Sequence, residues 1–230
     1  MVYLTGDTHG PIDFQKLSLT TNPFLTSLTS NDYIIICGDF GAVWDGSKDD
    51  MLLQAWYSNQ PWTTLFIDGN HENHRLLSTY PIEEWNGGKV HKINDKIFHL
   101  MRGQVYTIEG RTYFTMGGAN SIDKWHRVLN RDWWVEEMPS GAEYEEGFNN
   151  LEVNHNKVDY ILTHCAPDHI LDALNCGYEH DKLTNYLEVI SQSVQYSHWF
   201  CGHYHADVDV TDNFTILYDT IINVKEYDED

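Results

Sequence analysis

The chain is short of positive charge. Lys and Arg number 14 against 35 Asp and Glu, a formal net charge of −21. Proteins hold DNA and RNA by neutralising phosphates with Lys and Arg, so a nucleic-acid polymer is not the expected partner. The same field repels a phosphate dianion unless bound cations reverse the local sign. Long apolar runs are missing too: none approaches the roughly 18 residues of a membrane helix, and no membrane association is expected. Met1 runs directly into the first apolar segment, which leaves no room for a signal peptide, and the expected location is the cytoplasm. Cysteine is sparse, and Cys37, Cys165, Cys176 and Cys201 form no CxxC pair. Buried reduced thiols suit this pattern better than disulfides or thiolate ligands. The acidic tail EYDED (226–230) reads as solvated surface.

What is present is the composition of a folded protein, 41% apolar with 13% aromatics over 230 residues. With no repeat or linker, one domain over 1–230 is the economical organisation. Short β-type runs at 2–5, 33–37 and 62–67 alternate with segments of helical spacing at 12–19 and after Ser47, where Met51, Leu52, Ala55 and Trp56 share one side. Asp50, three residues after Ser47, suggests a capping-box-like start. Such alternation predicts a mostly parallel sheet covered by helices. The middle differs. Runs at 89–93, 96–101, 104–109 and 111–116 are short, β-prone and joined by turns at Arg102-Gly103 and Gly110-Arg111, so they read as hairpins extending the sheet or starting a second one. Loops with one helix near 143–155 follow. A strand at 158–163, a helix opened by Pro167, an amphipathic helix through Leu183, Tyr186, Leu187, Ile190 and Val194, a strand at 197–201 and a hairpin around Asp212-Asn213 complete the chain.

Five of these apolar runs end alike: TGDTHG (5–10), CGDFG (37–41), DGNHE (68–72), THC (163–165) and CGHYH (201–205). Each puts Asp, Asn or His, in four of the five beside Gly, at the carboxyl end of a predicted strand, where open α/β sheets build their sites. A lone Asp-x-His or Gly-Asp is usually a turn, and a lone His after a strand is usually a core residue. Five such blocks together point instead to a shared metal site. Asp7, His9, Asp39, Asn70, His164, His203 and His205 exceed the four ligands of one tetrahedral zinc and suit two cations sharing a carboxylate. Oxygen and imidazole donors without thiolate point to Mn²⁺, with Fe, Zn²⁺ or Ni²⁺ as alternatives.

The ordered set GDTH, GDFG, GNHE, THC and GHYH resembles the calcineurin-like metallophosphoesterase superfamily over residues 7 to 205. The resemblance is specific for the superfamily rather than for a substrate. It implies an α/β fold, a four-layer α/β/β/α sandwich of two mixed sheets, with the metal site at strand C-terminal ends. It implies one metal held by Asp7, His9, Asp39 and His205. Asp39 would bridge to a second metal held by Asn70, His164 and His203. Two such ions would activate a water for attack on a phosphate monoester or small phosphodiester and offset charge in the transition state. His71, beside a ligand yet not needed as one, is the candidate general acid, and Glu72 either orients a histidine or is an exposed turn acid. Many phosphoprotein phosphatases of the superfamily carry Arg three residues after the motif His. Here that position is His74, with Arg75 one later.

The loop 117–127 supplies Asn120, Asp123, His126 and Arg127 as candidate substrate contacts, and resembles a segment of small bacterial and phage members. Arg127 has the planar fork that binds oxyanions, while an Asp123–Arg127 pair at four-residue spacing is the plainer alternative. Trp133 and Trp134 either stack a base or pack the loop, packing being favoured. Three functions compete: a small-phosphoester hydrolase, a serine/threonine protein phosphatase, and a metal-binding scaffold without catalysis that holds protein partners.

Overall fold

A computed structural model describes residues 1–175 and 177–228. Its strands are β1 (Val2–Thr5), β2 (Tyr33–Cys37), β3 (Thr63–Ile67), β4 (Ile82–Trp85), β5 (Gly88–Asn94), β6 (Ile97–Leu100), β7 (Gln104–Ile108), β8 (Arg111–Met116), β9 (Tyr160–Thr163), β10 (His198–Cys201), β11 (Val208–Thr211), β12 (Phe214–Ile216) and β13 (Ile222–Asn223). The α-helices are α1 (Lys48–Ser58), α2 (His74–Leu77), α3 (Gly141–Val153), α4 (Asp168–Leu174) and α5 (Lys182–Ser193).

The strands form two mixed sheets. One runs β13-β1-β2-β3-β6-β5-β4 and the other β11-β12-β10-β9-β8-β7. Strands β1, β2, β3 and β6 are parallel neighbours, as are β8, β9, β10 and β12. The sequence pattern explains the layering. Leu4, Ile35, Leu65 and Ile67 of the first sheet meet Tyr106, Tyr113, Leu162 and Phe200 of the second in a core between the sheets. Alternate residues point the other way: Ile34, Ile36 and Phe66 pack with Tyr57 of α1, and Phe114, Ile161 and Trp199 pack with Leu183, Leu187 and Ile190 of α5. The result is the expected four-layer α/β/β/α sandwich.

Several local expectations fail for physical reasons. Helix α1 turns Met51 and Leu52 outward, each 59% exposed, and buries Asp50 and Tyr57. Its rotation is set at the entry. Ser47 Oγ caps the N–H groups of Asp49 and Asp50, while Asp50 Oδ2 accepts N–H bonds from Trp44, Asp45 and Gly46 at 2.8–2.9 Å. That clasp replaces the expected capping box. The segment 12–19 contains one short 3₁₀ turn, Phe14–Leu17, because Lys16 dips inward to donate to the carbonyls of Gly6, Asp7 and Tyr218. Strand β4 escaped sequence reading because IEEW at a sheet edge has neither apolar alternation nor burial. The Arg102-Gly103 turn joins strands of different sheets and is not a hairpin turn. In the tail, Glu226 and Asp228 are exposed as expected, and the segment is also anchored: Asp228 pairs with Arg111 and accepts from Tyr160 Oη, and Tyr227 packs edge-on against Phe200. Glu229, Asp230 and Cys176 lie outside the described residues.

Candidate metal centre

The carboxyl ends of β1, β2 and β3 are neighbours in one sheet, and those of β9 and β10 are neighbours in the other. All five motifs therefore meet along the edge where the two sheets face each other. Asp7 Oδ2 lies 3.2 Å from His205 Nε2 and 3.8 Å from His9 Nε2. Asp39 Oδ2 lies 3.3 Å from His9 Nε2 and 3.4 Å from His164 Nε2. Asn70 Oδ1 is 3.1 Å from His164 Nε2, and the His203 ring stands edge-on to His164 at 4.9 Å. Sets of donor atoms within 4.8 Å of one another are offered by Asp7, His9 and His205, by His9, Asp39 and His71, and by Asp7, Asp39 and His164.

The glycine that precedes the Asp, Asn or His in four of the motifs has a steric cause. A Cβ on Gly38 would lie 1.9 Å from His164 Nδ1, and one on Gly202 would lie 2.3 Å from Asp7 Oδ1. The strand ends thus approach closely only because side chains are missing there. The donors are also held in strained backbone. His9, Asp39, His203 and His205 have φ of 43°, 49°, 70° and 48°, in the left-handed region that ordinary residues avoid.

Surrounding bonds aim the ligands. His9 Nδ1 hydrogen-bonds Asp13 Oδ2 at 2.7 Å and His164 Nδ1 donates to the Cys37 carbonyl at 2.9 Å, leaving each Nε2 toward the cluster. The backbone N–H of His71 donates to Asp39 Oδ1 at 2.7 Å, and that of His203 to Asp7 Oδ1 at 3.0 Å. Asn70 Nδ2 donates to Ser121 Oγ at 3.1 Å, and Ser121 Oγ donates to Glu137 Oε2 at 2.7 Å, which fixes the amide oxygen inward.

Burial alone would raise the Asp39 carboxyl, but His164 and then His9 hold it well below the carboxylate range. Asp7 is likewise lowered against its burial, by His164 and His205. Burial would lower His164, yet Asp39 and Asp7 raise it to about 10. His203 is pushed down to about 3 by burial, so its ring is neutral. Two buried carboxylates thus keep protons on neighbouring imidazoles. Asp7 Oδ2 is fully buried and makes no aligned hydrogen bond, the nearest imidazole nitrogen being His205 Nε2 at 3.2 Å. A buried acceptor without an aligned donor is costly. A divalent cation would satisfy it and displace the protons, so these residues fit the metal ions that the motifs imply.

The expected substrate contacts divide. Arg127 makes the plainer of the two interactions considered for it, a bidentate pair with Asp123 at 2.7 and 2.8 Å, and its Nη1 and Nη2 also approach His71 Nδ1 and Nε2 at 3.1 and 3.3 Å. Burial lowers the His71 pKa, opposed by Asp39 and reinforced by Arg127. Asn120 is partly buried with its amide oxygen on Lys124, and it lines a cavity of about 390 Å³ with Ser121 and His203. His126 turns outward beside Trp125. Trp134 packs edge-on against Trp44, and Lys124 covers the Trp133 ring, so both tryptophans pack the loop. His74 and Arg75 face a different cavity, lined also by Asp68, His99 and Arg102, where Arg75 pairs with Glu136.

The roles of four supporting residues were not legible in sequence. Glu72 is neither exposed nor on a histidine. It is fully buried, and Oε1 accepts the N–H of Phe40 at 2.5 Å, bracing the Asp39 turn. Ser121 and Glu137 reach Asn70 from 51 residues or more away in the chain, with no motif to mark them. Lys16 sits beneath Asp7 as a buried cation, a role that an isolated Lys in a polar segment does not advertise.

Among the described residues, no helix is long and apolar enough to cross a membrane. A family model for calcineurin-like phosphoesterases matches residues 1–207. A search of curated proteins returned no match. Among solved structures, a phosphopantetheinyl hydrolase from Mycobacterium tuberculosis aligns over 94% of this chain and 87% of its own, at 13% identity and a TM-score of 0.40.

Proposed function

Because the chain belongs to the calcineurin-like phosphoesterase family and is therefore a metal-dependent phosphoester hydrolase, we propose that it holds two divalent cations and hydrolyses phosphate monoesters or small phosphodiesters. The observation that carries this reading is the buried Asp7 Oδ2, without an aligned hydrogen bond amid imidazole nitrogens, with Asp39 reaching both His9 and His164. Asp7, His9, Asp39 and His205 would hold one cation, and Asp39, Asn70, His164 and His203 the other, with Mn²⁺ the first choice and Fe, Zn²⁺ or Ni²⁺ alternatives. Bound there, the cations supply the acidity that makes a water nucleophilic at neutral pH and the positive charge that an anionic substrate meets.

The chain's own residues do the rest. Asp7 and Asp39 enter as carboxylates, since their neighbours already keep them ionised. Asn70 stays aligned through Ser121 and Glu137. The Arg127 guanidinium lies against His71, close enough to take a phosphate oxygen bidentately by exchanging part of its pairing with Asp123. A bound phosphate offsets the repulsion between Arg127 and a protonated His71. The ring can then take up a proton from solvent and give it to the leaving oxygen. Among the described residues, three buried free thiols suit a reducing compartment, which we take to be the cytoplasm. A small phosphorylated compound, rather than nucleic acid, is the proposed partner.

The test uses metal-stripped protein with Mn²⁺ restored, on p-nitrophenyl phosphate, bis-p-nitrophenyl phosphate and phosphopeptides. Mn²⁺-dependent turnover of a small ester, lost in Asp39→Asn, is expected. Turnover confined to phosphopeptides would make it a protein phosphatase, and two bound metals without turnover would leave a scaffold.

A further inference from the structure

Beside His9 and His71 opens a groove of about 410 Å³ whose walls include Pro11, Ile12 and Trp44. It shares Pro11, Gly41, Asp49 and Asp50 with a second groove of about 350 Å³, walled by Leu52, Leu53 and Trp56. Together they make one apolar track leading away from the candidate general acid. The fold keeps this track open. Ile12 is 73% exposed and Leu52 59%, although neighbouring segments bury their apolar residues. The Asp50 clasp on the N–H groups of Trp44, Asp45 and Gly46 holds the Trp44 wall in place. Charge narrows the occupant further. Among the described residues lining the track there is no Lys or Arg, whereas Asp45 and Asp49 are present and exposed.

Large apolar side chains exposed contiguously at a polar site mark a binding surface. The continuity with His71 says which part of a substrate they meet. A general acid must lie beside the leaving oxygen, so the group attached to that oxygen runs into the track. We infer that the substrate is a phosphoester of an apolar alcohol, alkyl or aryl, that carries no further anionic group. The inference rests on the phosphoesterase reading above and adds the chemistry of the alcohol. Carboxylates or further phosphates on the alcohol would meet Asp45 and Asp49 with no compensating cation.

The test is calorimetric binding of n-alkylphosphonates, ethyl to octyl, to the Mn²⁺-loaded protein, with p-nitrophenyl phosphate hydrolysis followed in parallel. Burying one methylene is worth about 0.8 kcal/mol, or about fourfold. In a groove open on one side, Kd should fall about twofold to fourfold per methylene, with a negative heat-capacity change. Hexylphosphonate should bind at least about tenfold more tightly than 6-phosphonohexanoate, whose carboxylate meets the two aspartates. Leu52→Glu and Ile12→Glu replace exposed side chains, so they should fold normally while flattening the chain-length slope measured relative to ethylphosphonate in the same variant. A flat slope in the parent protein, or the same slope in both variants, overturns the inference even if p-nitrophenyl phosphate is hydrolysed. Failure of ethylphosphonate to bind, together with no hydrolysis, would strike the phosphoesterase reading itself and the inference with it.

Discussion

Adding one methyl group at Gly38 tests whether the site depends on close approach of the strand ends. The glycine has φ +102°, and its Cβ would stand 1.9 Å from Nδ1 and 2.4 Å from Cγ of His164. His164 cannot retreat freely, since it is fully buried and bonded to the Cys37 carbonyl and to Asn70. Two costs add. Overpacking a tight interior costs about 1–3 kcal/mol, and a side chain in unfavourable backbone about 1–3 kcal/mol. Gly38→Ala should therefore destabilise by about 2–6 kcal/mol, a large part of a typical total. At about 2–4 °C per kcal/mol for a chain of this size, the melting temperature should fall by about 4–24 °C. Gly110→Ala separates the costs, because Gly110 has φ +79° and no atom within 4 Å of its added methyl group. Thermal unfolding of both variants, with metal content by mass spectrometry, is the assay. Gly38→Ala should be the more damaged and should lose metal through displacement of His164. Equal stability of the two variants, with full metal content in Gly38→Ala, would refute the reasoning.

Other consequences follow from the same geometry. His71→Ala should keep its metals but lose about 10²–10⁴-fold in kcat/KM on esters with high-pKa leaving groups, and much less on p-nitrophenyl phosphate; equal losses on both would remove His71 as the proton donor. Metal binding must expel protons from His9 and His164, both of which titrate above their ordinary value in the metal-free chain. Affinity for Mn²⁺ should therefore rise by about one to two decades per pH unit between about pH 6 and 8, and a pH-independent titration would contradict it. Away from the metals, burial and the Arg102 guanidinium push His74 down to about 3. Between its ordinary value near 6.5 and about 3, the unfolded chain binds more protons at this site, so its contribution is complete above about pH 6.5 and erodes below. In chelator, urea unfolding of wild type should lose about 1.4 kcal/mol per pH unit more than His74→Gln over that window, and parallel curves would refute the assignment.

How much of this was legible in the sequence depends on how local its cause is. A strand end followed by Gly-Asp, Gly-Asn or Gly-His carries its signal within a few residues, which is how Asp7, Asp39, Asn70 and His203 stood out, while His164 was marked only by the strand it ends. Helix α5 was equally plain, because Leu183, Leu187 and Ile190 bury as their spacing predicts. The rotation of α1 was not. It is set by hydrogen bonds from Asp50 to a preceding loop, which no hydrophobic period encodes. The bracing of Asn70 by Ser121 and Glu137, and of the Asp39 turn by Glu72, joins residues distant in the chain. Sequence patterns name the atoms of the site, while the groups that aim them become visible only in three dimensions.

The central claim is a pair of cations bridged by Asp39. The most direct measurement is electron paramagnetic resonance of metal-stripped protein titrated with Mn²⁺, beside Asp39→Asn. Two Mn²⁺ per chain with the spectrum of exchange-coupled ions, reduced to uncoupled or single occupancy in the variant, is the predicted result. Coupled pairs that persist in Asp39→Asn, or only one Mn²⁺ bound per wild-type chain, would contradict the account.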